Sequence, residues 1–271
     1  MRCLYCNISP PYQFLYYNYI HMKLRNIKIT IEYDGTKFSG WQIQNKGQRT
    51  VQGEIKKAIK KIFSQDVSII GSGRTDSGVH ASGQVANFQI QSEMPSEKII
   101  KALNGNLPED IVILDAKDVK KTFHAQYKAK SKIYQYTILN RKTRGVLVRK
   151  HCLYYSKPLN LTQMRKEAKE LIGKHDFKSF QASDPTKKNK DNTIRTLKQL
   201  NIRKKEDFIL IEIEANGFLY KMVRNIVGTL LEIGKGKLPK GRMKAILKAK
   251  NRNKASATAP AHGLSLNEVL Y

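Results

Sequence analysis

The sequence predicts an α+β fold in which mainly antiparallel strands and flanking helices alternate in two similar halves. Short segments with an apolar residue at every second position alternate with segments of helical periodicity along the chain. Each half has too few strand–helix–strand crossover units for a doubly wound nucleotide-binding sheet. The chain has 271 residues, which is room for one large domain or two of ordinary size.

The first half begins with a half-buried strand. Apolar residues alternate from Ile27 to Tyr33, and Asp34 and Gly35 then form a turn. Thr50 is a candidate N-cap, and the apolar residues after it recur at helical spacing up to Ile62. The remaining predicted elements of this half are strands at 67–70, 84–90 and 111–113, and a helix at 96–103.

The second half repeats this mixture. A strand from Lys132 to Leu139 places Tyr134 and Tyr136 on one face. The other predicted elements are a helix at 161–171 that ends at Gly173, strands at 194–202 and 208–215, and a helix at 218–233. The segment 184–192 has no apolar residue, which predicts a solvent-exposed loop.

The charge balance predicts a polyanionic partner. The chain has 50 Lys and Arg residues against 22 Asp and Glu residues, a formal net charge of +28 at pH 7. So strong a positive field favours nucleic acid, although it does not indicate that a base sequence is read. Residues 235–254 carry nine basic residues and no acid, and residues 117–132 form a second cluster around Tyr127. Each cluster is either a phosphate-contact surface or a solvated helix face.

The cysteine content and the length of the apolar runs argue against a disulfide-rich protein and against a membrane protein. Cys3, Cys6 and Cys152 are too few and too scattered for a disulfide framework, so a reducing compartment is expected. Cys3 and Cys6 form a lone CxxC without a second pair or a His at ligand spacing, so we expect no metal site there. No apolar run is long enough for a bilayer span, and no signal peptide is indicated. We therefore expect a cytoplasmic protein with no membrane partner.

A glycine-broken loop at 71–88, GSGRTDSGVHASGQVANF, has the layout of a catalytic loop. Its one carboxylate, Asp76, stands beside Arg74, and a nearby guanidinium tends to keep a carboxyl ionised. A positioned anionic Asp can be a nucleophile. The alternative is an Asx turn, in which Asp76 only accepts hydrogen bonds from nearby amides. A phosphate-binding loop is excluded because Val79 and His80 stand where that motif needs Lys and then Ser or Thr.

The motif GRTDSGVHASGQV at 73–85 resembles the signature of the tRNA pseudouridine synthases of the TruA type, in which the aspartate of GRTD is the nucleophile. The resemblance spans residues 22–271. Ser72 and Ser77 stand where that family often has small apolar residues, a change that should leave the loop geometry intact. The other resembling segments are HMKLRNIKITIEYDGTKFSGWQ, KSKIYQYTILN, MVRNIVGTLLEIGKG and APAHGLSLNEV.

The resemblance implies a pseudouridine synthase fold, with two α/β domains whose antiparallel sheets pack side by side around a central RNA-binding cleft, and assembly as a homodimer. We place the domains at 22–128, which carries the Asp76 loop, and at 129–271. Residues 1–21 lie outside the resemblance and Met22 could serve as an alternative start, so we expect a disordered or artefactual extension there.

The activity that the resemblance implies is isomerisation of uridine to pseudouridine in the anticodon stem and loop of tRNAs, at nucleotide positions 38, 39 and 40. That reaction breaks the N1–C1′ glycosidic bond, turns the uracil and rejoins it through C5. No redox change occurs, none of these steps needs a metal, a nicotinamide or ATP, and the chain has no cofactor fingerprint, so we expect no cofactor. The enzyme must expose the base and supply a nucleophilic carboxylate and proton-transfer groups.

Residue roles follow from the same resemblance. Asp76 matches the nucleophile, Tyr134 the aromatic residue that stacks on the target uracil, and Arg224 the arginine that pairs with the nucleophile. Pattern alone favours core packing for Tyr134, because aromatic residues are common in strands. Arg224 lies among apolar neighbours and needs a buried anionic partner, for which Asp76 is the candidate. Arg74 either contacts phosphate or fills the gap left by a flipped base.

Other residues and other functions are weaker candidates. His80 and His124 are expected to be structural, because no nucleophile or ligand set accompanies either. A non-catalytic RNA-binding protein would need the charge and the tyrosines but not the GRTD motif. A metal-dependent nuclease would need clustered carboxylates, and the acidic residues of this chain are scattered.

Overall fold

The computed structural model describes residues 23–44, 47–183 and 192–271. The predicted extension at 1–21, and the predicted loop at 184–192 except for its last residue, lie outside the described residues.

Ten strands in the described residues form one sheet, and most neighbours are antiparallel. The order across the sheet is β4-β1-β3-β10-β5-β9-β8-β7, with β2 beside β3 and β6 beside β5. Helices flank this sheet, so the predicted α+β class with mainly antiparallel strands is confirmed. The strands are β1 Leu24–Tyr33, β2 Ile70–Gly71, β3 His80–Gln91, β4 Ile111–Val119, β5 Ser131–Leu139, β6 Leu153–Tyr154, β7 Gly173–Asp176, β8 Ile194–Lys205, β9 Phe208–Ala215 and β10 Leu264–Leu270.

Four of the described α-helices overlap the predicted ones, and the fifth, Arg242–Ala249, was not predicted. Thr50 caps the first helix, because its side chain accepts a hydrogen bond from the Gly53 N–H. Ile55 and Ile59 lie one turn apart on that helix and are buried, as the apolar spacing predicted. The helices are α1 Val51–Phe63, α2 Ser96–Asn104, α3 Leu161–Ala168, α4 Met222–Gly234 and α5 Arg242–Ala249.

The last strand joins the two halves of the molecule. β10 runs parallel to β3, with Leu266 beside Ala81, and antiparallel to β5, with the same Leu266 beside Tyr134. The hydrogen-bonded sheet and the buried core are therefore continuous from one half to the other. The start of β3, which follows the Asp76 loop, is separated from Tyr134 by one strand only. A domain boundary near residue 128 stays a prediction.

Two predicted elements differ from the structure. The strand predicted at 67–70 pairs with β3 only at Ile70 and Gly71, because the carbonyl of Ile69 accepts from the Gln52 side chain of α1 instead of from a neighbouring strand. The helix predicted from Phe218 begins at Met222, because Lys221 has a left-handed backbone with φ of +58°. The residues before it form a loop instead of a first helical turn.

Candidate active site

Contacts with other segments of the first half fix the loop that carries Asp76. The Thr75 carbonyl accepts from the Trp41 N–H at 3.1 Å, and the buried Thr75 hydroxyl lies 2.8 Å from that of Tyr33. Gly40 passes so close that a Cβ atom there would lie 2.6 Å from the Thr75 carbonyl oxygen, and its φ of +99° suits glycine. These contacts hold the residue next to Asp76 from two sides.

Arg224 reaches Asp76 from the other half of the chain. One Nη1–H of Arg224, in the first turn of α4, donates to Oδ2 of Asp76 at 2.8 Å. The side chains of Arg224 and Asp76 are 14% and 18% exposed, so the pair is largely shielded from water. The guanidinium is held in turn by Ala259, whose carbonyl accepts from Arg224 Nε at 2.8 Å. Asp76 thus faces an arginine whose position is set by a second contact.

The side chain of Asp76 does not form an Asx turn. The Val79 N–H bonds to the main-chain carbonyl of Asp76 at 3.1 Å, and within the described residues the only hydrogen bond of the Asp76 carboxylate is the one from Arg224. Asp34 shows the contrast, because its carboxylate accepts from the N–H of Thr36 at 2.9 Å. One oxygen of Asp76, Oδ1, therefore has no hydrogen-bond partner among the described residues.

Tyr134 lies on the central strand β5 in the same region. Its ring meets that of Phe218 edge to face at 5.0 Å between centroids, and 7% of the residue is exposed. Burial raises the pKa of the Tyr134 hydroxyl far above its usual value, and the neighbouring Tyr33 and Asp76 add to this. The hydroxyl is therefore neutral. Tyr134 is paired with Leu266 of β10, which is paired with Ala81 at the start of β3, so the ring lies one strand away from the end of the Asp76 loop.

Arg74 makes no hydrogen bond to the pair formed by the described residues Asp76 and Arg224. It is exposed, and it makes no hydrogen bond or ion pair with another described residue. Both roles considered for it, a phosphate contact and insertion at a flipped base, remain predictions.

His80 connects two other segments of the chain through backbone contacts. Its Nδ1 accepts from the Gly35 N–H at 3.0 Å, which places the ring proton on Nε2, and Nε2 donates to the Lys150 carbonyl at 2.9 Å. Asp34, His80 and His151 are close enough for three metal ligands, a grouping that the sequence reasoning missed. Both nitrogens of His80 are already bonded, so the arrangement fits a structural role better than a metal site.

His124 also has local contacts. Its Nδ1 accepts from the N–H groups of Gln126 and Tyr127, both at 3.3 Å, and its ring stacks on that of Tyr127 at 4.2 Å. A loop role accounts for these contacts.

The basic stretch 235–254 is only in part a free cationic surface. Four of its lysines make ion pairs with acidic side chains, and Arg252 points inward to Asn225 and Thr258. The paired lysines are Lys235, Lys237, Lys244 and Lys250. Among the exposed lysines of this stretch, Lys240, Lys248 and Lys254 make no ion pair with a described residue.

Two residues of the site were missed by sequence reasoning. Phe218 was assigned to a helix, whereas it lies in the loop that packs on Tyr134. Lys132 was taken only as the start of a strand. A signal for Lys132 existed, because alternate residues of a strand share a face, and Lys132 is two residues before Tyr134.

The arrangement can carry out nucleophilic chemistry on a planar heterocycle. A carboxylate with one free oxygen can attack an electrophilic carbon, an arginine can hold it in place, and a neutral aromatic ring can pack against a base. These parts come from three places in the sequence, the loop before β3, the strand β5 and the helix α4.

Comparison with known proteins identifies the class. A family model described as tRNA pseudouridine synthase matches residues 29–128 and 168–271. The chain therefore belongs to the tRNA pseudouridine synthase family, whose members are RNA-modifying isomerases.

Individual relatives show how similar in sequence this chain is to particular members of the family. The chain is 52% identical over 248 residues to tRNA pseudouridine synthase A of Thermoanaerobacter sp. (strain X514), a match that covers 92% of this chain and 100% of the relative. Matches of the same coverage are 45% identical to the protein of that name from Caldicellulosiruptor bescii and 44% identical to tRNA pseudouridine synthase A 2 of Clostridium perfringens. No helix in the described part of the chain combines the length and apolar character that a membrane span needs.

Proposed function

We propose that this protein isomerises uridine to pseudouridine in tRNA and that Asp76 is the nucleophile. The observation that supports this best is the contact between Asp76 and Arg224, which engages one carboxylate oxygen in a shielded site beside Tyr134. The reaction balances without a co-reactant. The N1–C1′ bond breaks, a C5–C1′ bond forms, and the proton lost from C5 is matched by one gained at N1.

The free oxygen of Asp76 suits each route that uses a carboxylate. It can attack C1′ of the ribose, add to the uracil ring, or remove a ribose proton in a glycal route. In all three routes the base is detached and turned before it is rejoined, so it must be retained in the site. Burial of the ion pair keeps water away from that site.

Arg224 and Tyr134 have supporting roles in this proposal. Arg224 fixes the orientation of Asp76, because its guanidinium is itself held by the carbonyl of Ala259. Tyr134 supplies an aromatic surface against which the detached uracil packs, which limits its escape. The target nucleotide must leave its stack to reach these groups.

The target and assembly are proposed on the family resemblance. We propose that the uridines lie in the anticodon stem and loop, at positions 38, 39 and 40, and that the protein is a cytoplasmic homodimer. The net charge of +28 supports a polyanionic partner of this kind. Sedimentation equilibrium of the purified protein tests the dimer, and a monomer at micromolar concentration would contradict it.

The activity is tested by carbodiimide mapping of pseudouridine in unmodified tRNA treated with the purified protein. Wild type should modify uridines in the anticodon arm without added divalent metal, whereas Asp76→Asn should bind tRNA and modify none. Asp118→Asn is the matched control, because it makes the same change in a carboxylate on β4. Pseudouridine formed by an Asp76→Asn sample that is free of host synthase and of deamidated protein would overturn the nucleophile assignment.

A further inference from the structure

A lysine lies against the loop that carries Asp76. Lys132 is on β5, two residues before Tyr134, so the two side chains project from the same face of the sheet. Its ammonium group reaches Gly73, where an added Cβ atom would lie 3.0 Å from Lys132 Nζ. Gly73 is three residues before Asp76. The absence of a side chain at Gly73 therefore leaves room for this ammonium beside the site.

This ammonium has no acidic partner among the described residues. Two carboxylates of the neighbouring strands, Glu214 of β9 and Glu268 of β10, are each paired with Ile133, which is next to Lys132 and so projects from the opposite face. There Glu214 accepts from Ser131 at 2.6 Å and from Lys198 at 3.1 Å. Burial, followed by the positive charge of Arg195, lowers the pKa of Lys132 to about 8.

Arg195 lies on the same face as Lys132. Leu197 is paired with Ala215, and Ala215 is paired with Lys132, so these three residues share a face. Arg195 is two residues before Leu197 and projects with it. Its guanidinium also donates to the carbonyls at 192 and 194, which fix its position. Lys132 and Arg195 are thus two cations on one face of this part of the sheet.

The ammonium of Lys132 is a shielded cation without an anionic partner among the described residues, which is unfavourable in the free protein. Binding of an anionic ligand next to this ammonium is therefore favoured. RNA supplies a phosphate at every nucleotide, and a nucleotide turned out of its stack carries its flanking phosphates to the wall of the site. The uracil is neutral and would not offset the charge. A backbone phosphate is therefore the group that fits.

We propose that Lys132, assisted by Arg195, binds a backbone phosphate adjacent to the target uridine. This inference rests on the proposed function, since it takes the flipped nucleotide to lie between the Asp76 loop and Tyr134. It assigns to Lys132 the positioning of the nucleotide and not a step of the chemistry.

The test is tRNA binding by Lys132→Met, measured over a range of salt concentrations in an Asp76→Asn background, where no turnover occurs. The plot of log affinity against log salt should become flatter by about 0.7 to 0.9 units, the change expected for one lost phosphate contact. In the active background KM should rise more than kcat falls, and Lys132→Arg should restore much of the affinity. Lys198→Met is the matched control, because it removes a lysine from the opposite face. It should leave the slope of the salt dependence and KM unchanged.

A second variant tests the same subsite without changing a charge. Gly73→Ala places a methyl group against the ammonium, and the backbone of Gly73 is outside the left-handed region, so the loop should tolerate it. The ammonium should be displaced, and affinity should fall in the same direction as for Lys132→Met. This variant also decides the question if Lys132→Met does not fold.

The outcomes separate this inference from the proposed function. A salt dependence that is the same in Lys132→Met as in Lys198→Met would overturn the phosphate subsite and leave Asp76 as the proposed nucleophile. An active Asp76→Asn protein would overturn the proposed chemistry whatever Lys132 does.

Discussion

Two Asp–Arg pairs of this protein differ in how much of the carboxylate they occupy. At the edge of the sheet, Arg25 of β1 holds Asp118 of β4 through both oxygens, with Nε–Oδ1 at 2.8 Å and Nη2–Oδ2 at 2.7 Å. In the site, Arg224 holds Asp76 through Oδ2 only. The edge carboxylate is 53% exposed, whereas that of Asp76 is 18% exposed.

The difference separates a pair that joins strands from a pair that, in the proposed function, orients the nucleophile. Arg49 and Asp110 also use both oxygens, each at 2.7 Å, and they too connect separate segments of the first half. Two-oxygen pairing is the most specific geometry for Arg and a carboxylate, but it leaves little of the carboxylate for a substrate. A single contact keeps Asp76 in place with one oxygen open.

Replacing Arg224 should have the largest effect on activity. In Arg224→Lys the charge is kept, but the ammonium cannot hold both Ala259 and Asp76, so turnover should fall on the order of a hundredfold, as when one positioned hydrogen-bond donor is lost from an active site. Arg25→Lys should leave turnover unchanged. Single-turnover assays of both proteins check this, and equal rates for Arg224→Lys and wild type would show that the site pair is structural too.

Tyr134 tests whether the site needs an aromatic surface beside the ion pair. Tyr134→Phe keeps the ring and its contact with Phe218, so much of the activity should remain. Tyr134→Leu should cost about 1 to 3 kcal/mol in interaction with the flipped base. Turnover and melting temperature are measured together for both variants. Full activity in Tyr134→Leu would make this residue a core residue, as its strand pattern alone suggests.

Gly40→Ala should disturb the loop that carries Asp76. The strained backbone and the clash with the Thr75 carbonyl should lower the free energy of unfolding by about 1 to 3 kcal/mol and reduce turnover. The control is Gly236→Ala, which has a similar positive φ of +73° but no atom within 4 Å of the added Cβ. It should lose less stability and no activity. Urea titrations and turnover assays compare the two, and equal turnover would show that Gly40 does not position Asp76.

The edge pair should give the smallest effect. Asp118→Asn should change the free energy of unfolding by about 1 kcal/mol or less, because exposed pairs are weak and salt screens them. Hydrogen bonding to Arg25 lowers the pKa of Asp118, so the stabilisation is present above the ordinary Asp range and is lost as the pH falls through the lowered folded-state value. Urea titrations between pH 7 and about pH 2 should show the wild type and the variant converging at acid pH. A constant difference across that range would contradict this origin.

Much of the fold was predictable from local pattern. The alternation in β1, β5 and β9, and the cap and apolar spacing of α1, describe elements whose burial follows from the sequence around them. Two of the errors had different causes, a side chain from another element and a local backbone conformation. The Gln52 side chain takes the carbonyl that would have extended β2, and the left-handed Lys221 delays α4.

The candidate site was predictable in its residues more than in its arrangement. The GRTD motif drew attention to Asp76, and the apolar surroundings of Arg224 required a buried anion. In the sequence the nearest guanidinium to Asp76 is that of Arg74, yet the structure leaves Arg74 exposed and brings in Arg224, which is 148 residues away.

The sequence by itself determined the class of fold, the basic character and the family resemblance, and it singled out Asp76 as the proposed nucleophile, because each of these depends on residue type and short-range spacing. Only the tertiary structure decided that Arg224 engages one oxygen of Asp76 and leaves the other open, and that Lys132 lies beside the loop. Those facts depend on β10, which enters the sheet between β3 and β5 and brings the two halves together. Contacts of such long sequence separation leave no periodic signal in the chain, and so they appear only once it is folded.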